Sequence, residues 1–173
     1  MNEYALIAAT PFFWLAVGLA IVRFRKLDWA EDVGFRLPSL RDLLIWTAAF
    51  VAYAAAVEVF GGGESMAGSW KGKYDATGIA VRIAAIALVY PVAEEFFFRG
   101  VFIGVARRRI GNALAVIAAA VVFGLIHVQY DWPVWIVADG LFFGLARVMT
   151  RSVYVPMLLH VLGNSYAVWE RLQ

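Results

Sequence analysis

The sequence predicts an all-α fold, a polytopic transmembrane helix bundle of about six spans with a long, kinked third helix. Three observations carry this expectation. Of the 173 residues, 63% are hydrophobic and 16% charged, whereas soluble domains run near half apolar and about a quarter charged; the mean hydropathy is +0.75. Apolar runs near twenty residues, long enough to cross ~30 Å of hydrocarbon, recur along the chain. The arginines and lysines gather beside those runs, where they act as a topology signal. A net charge of +2 therefore implies a lipid bilayer as partner, and no nucleic acid. The chain has no cysteine, which excludes disulfides, thiolate metal sites and cysteine catalysis and leaves the redox compartment open.

The first span covers residues 4–22 and ends at Arg23-Phe24-Arg25-Lys26. Its charges follow the apolar run and no small-residue cleavage site stands out, so it is expected to stay as a helix and not to be a cleaved signal. A short polar segment with Asp28, Glu31, Asp32 and Pro38 leads to span two at 43–60. Residues 61–78 hold six glycines and scattered charges, a composition that favours a flexible loop. Span three runs over 79–106 to Arg107-Arg108-Arg109, 28 residues, or ~42 Å as a helix; it must tilt, kink or protrude. Pro91 in its middle can free a backbone carbonyl, and two helices broken at Pro91 are the alternative. Spans four to six follow at 112–128, 133–149 and 152–169.

The organisation expected is two N-terminal helices with their loops over 1–78 and a catalytic core over 79–173. With six spans, the clusters at 23–26, 36 and 41, 107–109, and 147 and 151 fall on one side, which makes that side cytoplasmic and both termini external. Splitting span three would invert the C-terminal half.

Ionisable side chains inside spans are costly and usually face the bundle interior, so each is a functional candidate. They are Glu58, Arg82, Glu94, Glu95, Arg99, His127, Asp139 and His160, with the amide of Asn164 beside them. Glu95 and Arg99 are four apart and share a helix face; Glu94 points about 100° away and has no such partner in its own helix. Glu95 and Arg99 are thus expected to form a structural ion pair that leaves Glu94 for chemistry, the alternative being a helix-packing network of all three. The chain has two histidines, both expected within apolar spans. Phe123 lies four before His127 and would wall its pocket; Asn164 lies four after His160 on the same face. Counted from the basic ends, Glu94, His127, His160 and Asn164 lie ~20, ~22, ~14 and ~20 Å deep, one slab of the bilayer.

A carboxylate, two imidazoles and an amide at one depth suit a hydrolytic site. Glu94 would be general base to a water that His127 positions or whose proton it shuttles, and His160 and Asn164 would donate to the oxyanion. No serine sits with a base in a nucleophile arrangement. Zinc is the alternative to a metal-free site, since two histidines and a glutamate are a ligand set that zinc hydrolases use, but the helical His-Glu-x-x-His signature is absent. Asp139 would pair with Arg82, Arg99 or Arg147 or line a water path; Glu58 would be solvated and Arg82 would snorkel.

Glu94-Glu95-x-x-x-Arg99, Phe123-x-x-x-His127 and His160-x-x-x-Asn164 on successive spans resemble the CPBP family of CAAX proteases and bacteriocin-processing enzymes, which includes the type II CAAX prenyl endopeptidases. The resemblance covers about 79–166 and includes Gly140 and Gly144. It implies a glutamic intramembrane endopeptidase of a prokaryotic cell membrane, with Glu94 and His127 on the catalytic water and His160 and Asn164 at the oxyanion. The partner implied is a membrane-associated protein or peptide substrate; oligomeric state is left open. A non-proteolytic immunity or scaffold protein is the rival reading, and a proton-coupled transporter, which would show inverted repeats, a weaker one.

Overall fold

The structure is a computed structural model and describes residues 3–60, 68–128 and 133–173; the expected loop's residues 61–67 and the 129–132 segment lie outside the described residues. Helix is the regular structure throughout them, in six long helices. Helix α1 spans Glu3–Arg25 and α2 Leu40–Phe60. Helix α3 covers 76–110, ending where Gly111 takes φ 75 and ψ 171 and breaks the run Ile103–Leu125. Helix α4 is 112–125, α5 Pro133–Thr150 and α6 Tyr154–Leu172.

The third helix is therefore one continuous element through Pro91, longer at both ends than 79–106. Asp75 starts it by accepting the Gly78 amide at 2.7 Å, which satisfies an orphan donor of the first turn. Ser39 and Asp42 cap α2 reciprocally, the Asp42 amide reaching Ser39 Oγ at 3.0 Å and that hydroxyl reaching Asp42 at 2.7 Å.

By length and composition, Leu40–Phe60 and Ala76–Leu125 qualify as membrane-crossing helices. Helix α2 turns its apolar residues outward: Leu44 is 63% exposed, Val51 61% and Val59 73%. Leu114, Ile117, Val121 and Leu125 make a second exposed apolar stripe on α4. Contiguous apolar surface of this kind is rare against water, whereas lipid accepts it. The polar side chains Glu94, Glu95 and Arg99 are instead buried.

With no hydrophobic force between helices in lipid, close approach by small residues carries the packing. A Cβ on Gly140 would stand 2.9 Å from the Ala120 backbone, and one on Gly144 2.7 Å from Val116. These two glycines thus let α4 and α5 touch.

The basic segments meet at one end of the bundle. A short π-helical turn, Trp29–Val33, is capped by Asp28 and ended by Gly34 at φ 86. Its carbonyls take arginines from two other helices: Arg107 reaches Glu31 O at 2.6 Å and Arg147 reaches Asp32 O at 3.0 Å. Ser152 Oγ donates to Arg36 O at 2.7 Å and the Val153 amide to Gly34 O at 2.8 Å. Burial alone would raise the Asp32 carboxyl, but the Arg108 guanidinium, the Asp28 amide and the charge of Arg107 hold it below its ordinary value. At the opposite end, the described part of the Gly-rich loop is anchored, with Trp70 buried and its amide on Arg171 O at 2.8 Å.

Candidate active site

Pro91 sets the backbone on which the acidic pair sits. Residues Ala84–Val89 form a π-helical segment in which the Tyr90 amide reaches back to Ala85 O. In that i→i−5 register the next amide would serve Ile86 O, but it belongs to Pro91 and carries no hydrogen. The carbonyl so freed is taken by Asn164, whose Nδ2 donates to it at 2.8 Å. An α-helical turn, Tyr90–Glu95, follows, and a second π segment, Phe96–Phe102, comes after it. Glu94 and Glu95 thus lie between two π segments, features that cluster at functional sites.

Glu95 and Arg99 form an ion pair at 2.8 Å with both side chains 0% exposed, as their spacing predicts. The pair does more than the sequence suggested. The same oxygen, Oε1 of Glu95, lies 2.9 Å from His160 Nδ1, while Arg99 also donates to Gly140 O at 3.3 Å. Its guanidinium lies 4.5 Å from the Phe123 ring centre and 5.5 Å from that of Phe143, within cation–π range. Phe143 in turn stacks on the His160 ring at 5.2 Å. Neither Phe143 nor the Glu95–His160 bond was foreseen; Phe143, four residues before Arg147 on α5, has no polar neighbour in sequence to mark it.

His127 stands elsewhere than expected. It is in the turn after α4, whose helix stops at Leu125 and not at 128. The His127 amide bonds Gly124 O at 3.1 Å, a three-residue closure that leaves Phe123 O without its usual amide. His127 Nδ1 lies 2.7 Å from that carbonyl and caps it. Nδ1 therefore carries a hydrogen, and Nε2 is the nitrogen turned toward Glu94. The Phe123 ring packs against His127 with centroids 4.5 Å apart, the wall expected from the four-residue spacing.

The three helices converge on Glu94. His127 Nε2 lies 3.9 Å from its Oε1 and His160 Nε2 4.0 Å from its Oε2. Glu94 makes no direct hydrogen bond among the described residues and keeps 8% of its side chain exposed, with 17% for His127 and 11% for His160. Asn164 is on the same face of α6 but engages α3 at Ile86, eight residues and about two turns before Glu94.

Asp139 accepts a hydrogen bond from Tyr53 OH at 2.8 Å, and no described contact pairs it with Arg82, Arg99 or Arg147. Tyr53 on α2 was overlooked because an aromatic in an apolar span resembles lipid-facing packing. Arg82 is buried instead of snorkelling to water; its guanidinium folds back toward the start of α3, onto Gly78 O at 3.2 Å and over the Tyr74 ring at 3.5 Å. Glu58 is exposed.

The profile of the family described as type II CAAX prenyl endopeptidase Rce1-like matches residues 76–166, the stretch that holds all three motifs. The chain is 25% identical to the membrane-embedded CAAX protease MroQ of Staphylococcus aureus over 172 residues, covering 94% of this chain and 69% of that one. It is 24% identical to the putative membrane peptidase YdiL of Bacillus subtilis over 95 residues, 55% of this chain and 39% of that protein. No solved structure matches. With the profile spanning more than half its length, this chain belongs to the Rce1-like type II CAAX prenyl endopeptidase family of membrane proteases.

Proposed function

We propose that the protein is a multi-pass intramembrane endopeptidase of a prokaryotic cell membrane, in which Glu94 activates a water to cleave a membrane-associated protein or peptide. One observation carries this reading: two imidazole Nε2 atoms stand 3.9 and 4.0 Å from the two oxygens of one carboxylate. A water at ~2.8 Å from His127 and Glu94 would bridge the first gap at an angle of about 90°. Glu94 takes a proton from that water and the hydroxide attacks the scissile carbonyl carbon. The carbonyl oxygen, now negative, is held by Nε2–H of His160, whose Nδ1–H is already on Glu95. Donating at both nitrogens, His160 acts as an imidazolium in this step; Glu95 already balances Arg99, so the charge of His160 is matched by Glu94 before the proton transfer and by the oxyanion after it. The C–N bond breaks as Glu94 returns the proton to the leaving nitrogen. Asn164 has a second N–H beyond the one on Ile86 O, and it is assigned here as the second oxyanion donor.

A zinc ion in this place fits poorly. At ~2.05 Å from both His127 Nε2 and Glu94 Oε1 it would need an angle of about 145°, against a tetrahedral ~109°, and Glu95 is engaged by Arg99 and His160. We therefore assign no metal to the reaction.

The test compares membrane peptides in cells carrying the wild-type chain and Glu94→Gln at equal abundance. A peptide cut by the first and accumulating intact with the second is the expected result, and it also names the substrate. Processing by Glu94→Gln at the wild-type rate would refute the mechanism.

A further inference from the structure

The basic end of the bundle is more elaborate than topology requires. A positive-inside signal needs only exposed arginines near helix ends, yet Arg147 is 3% exposed. It lines a cavity of about 110 Å³ together with Arg107, Arg151, Asn112 and Glu31, over a floor that includes Ile103. The carboxylates nearby are engaged: Glu31 pairs with Arg36 at 2.9 Å, and Asp32 pairs with Arg108 and lies 3.5 Å from Arg107. Among the described residues, Arg147 hydrogen-bonds a carbonyl, Asp32 O. The Nε atoms of Arg107 and Arg147 are buried with no hydrogen-bond partner among the described residues.

A buried guanidinium whose neighbouring carboxylates are already paired is costly, and three arginines lining one small cavity favour an acceptor with several oxygens. We propose that this cavity binds a phosphate oxyanion, supplied in the membrane by the phosphodiester of an anionic lipid. The arginine fork matches phosphate geometry and gives charge-assisted bonds. At ~30 Å³ per water the cavity has room for three to four waters, enough for a tetrahedral oxyanion and too little for an acyl chain, which would lie outside along the helices. Its walls come from the end of α3, the start of α4 and the end of α5. A headgroup there would tie together the elements that carry Glu94, His127 and Asp139. Polybasic surfaces at the cytoplasmic leaflet attract anionic lipid in general; a cavity lined by Arg107, Arg147 and Arg151 adds a defined seat.

Arg151 is exposed and, with Asn112, can be replaced without disturbing a described hydrogen bond. Arg41 is an exposed arginine outside the cavity and serves as the charge-matched control. Thermal unfolding of the full chain in neutral detergent would be followed against added phosphatidylglycerol, phosphatidylcholine and inorganic phosphate. Saturable stabilisation by phosphatidylglycerol and none by phosphatidylcholine is expected. Arg151→Gln should raise the half-saturating concentration about tenfold, the loss of one charge-assisted bond. Asn112→Asp should abolish the effect, and Arg41→Gln should leave it within about twofold. Stabilisation by inorganic phosphate with the same dependence on Arg151 would also support the site and make free phosphate its ligand. Equal losses in Arg151→Gln and Arg41→Gln, or no saturable stabilisation by either phosphate source, would overturn the proposal.

Discussion

Replacing Glu95 with Gln should unfold the protein more readily and also impair catalysis, two losses that can be separated. Arg99 is fully buried, and among the described residues its contacts apart from Glu95 are the Gly140 carbonyl and the faces of Phe98, Phe123 and Phe143. Those contacts persist in Glu95→Gln but supply no charge, so the guanidinium is stranded at a cost of ~3–5 kcal/mol. At ~2–4 °C per kcal/mol for a chain of this size, the melting temperature should fall by about 10 °C. Glu94 makes no hydrogen bond among the described residues and meets its two imidazoles only at 3.9 and 4.0 Å, so Glu94→Gln should melt within ~2 °C of wild type while cleavage is lost. The double variant Glu95→Gln, Arg99→Leu removes the stranded charge and should regain more than half of the lost stability. It should stay inactive, because His160 has no carboxylate at Nδ1. Melting curves of the four proteins in one detergent, with cleavage of the identified substrate, make the assay. A wild-type melting point for Glu95→Gln, or a double variant no more stable than the single, would refute the ion pair's role; a fully active double variant would refute the positioning of His160.

Three further outcomes follow. Cleavage should survive a zinc chelator, and purified active protein should carry well under one zinc per chain; loss of activity restored by zinc would return the site to metal-assisted hydrolysis. The depressed Asp32 carboxyl binds its proton less readily folded than unfolded, so its contribution is complete above about pH 4 and is lost as pH falls through its lower folded value. Asp32→Asn should accordingly flatten the acid limb of the stability curve below about pH 4, read by melting temperature as the pH falls. Asn164→Ala should lower stability by ~1–3 kcal/mol because Ile86 O is left unsatisfied. Adding Pro91→Ala restores an amide and should recover that stability, while activity stays low if Asn164 also serves the oxyanion; recovery of both would confine Asn164 to the backbone.

Most of the architecture was legible because the membrane imposes few lengths: apolar runs near twenty residues, bounded by Arg23-Phe24-Arg25-Lys26 and Arg107-Arg108-Arg109, located the helices to within a few residues. The pairing of Glu95 with Arg99 was legible because four-residue spacing fixes a shared face. The end of α4 was not, since Ile126, His127 and Val128 continue the apolar pattern and only the bond from the His127 amide to Gly124 O shows that the helix has closed. The partner of Asp139 was hidden for a different reason: Tyr53 is 86 positions away, and no local spacing connects the two. The same holds for Arg147, whose acceptor is a backbone carbonyl in the turn after α1.

The three motifs share a physical origin. In hydrocarbon an unsatisfied backbone group costs several kcal/mol and so does an unpaired buried charge, and each motif places a side chain where one of these deficits arises. His127 covers the Phe123 carbonyl that the end of α4 leaves open. Asn164 covers the Ile86 carbonyl that Pro91 cannot serve. Glu95 neutralises buried Arg99 and, through the same oxygen, fixes the His160 ring. Each group is therefore locked by a requirement of folding before it takes any part in chemistry, which is what a preorganised site needs. Glu94 is the exception. Among the described residues it satisfies no carbonyl and pairs with no arginine, and with both imidazoles about 4 Å away it is the carboxylate to which we assign the water.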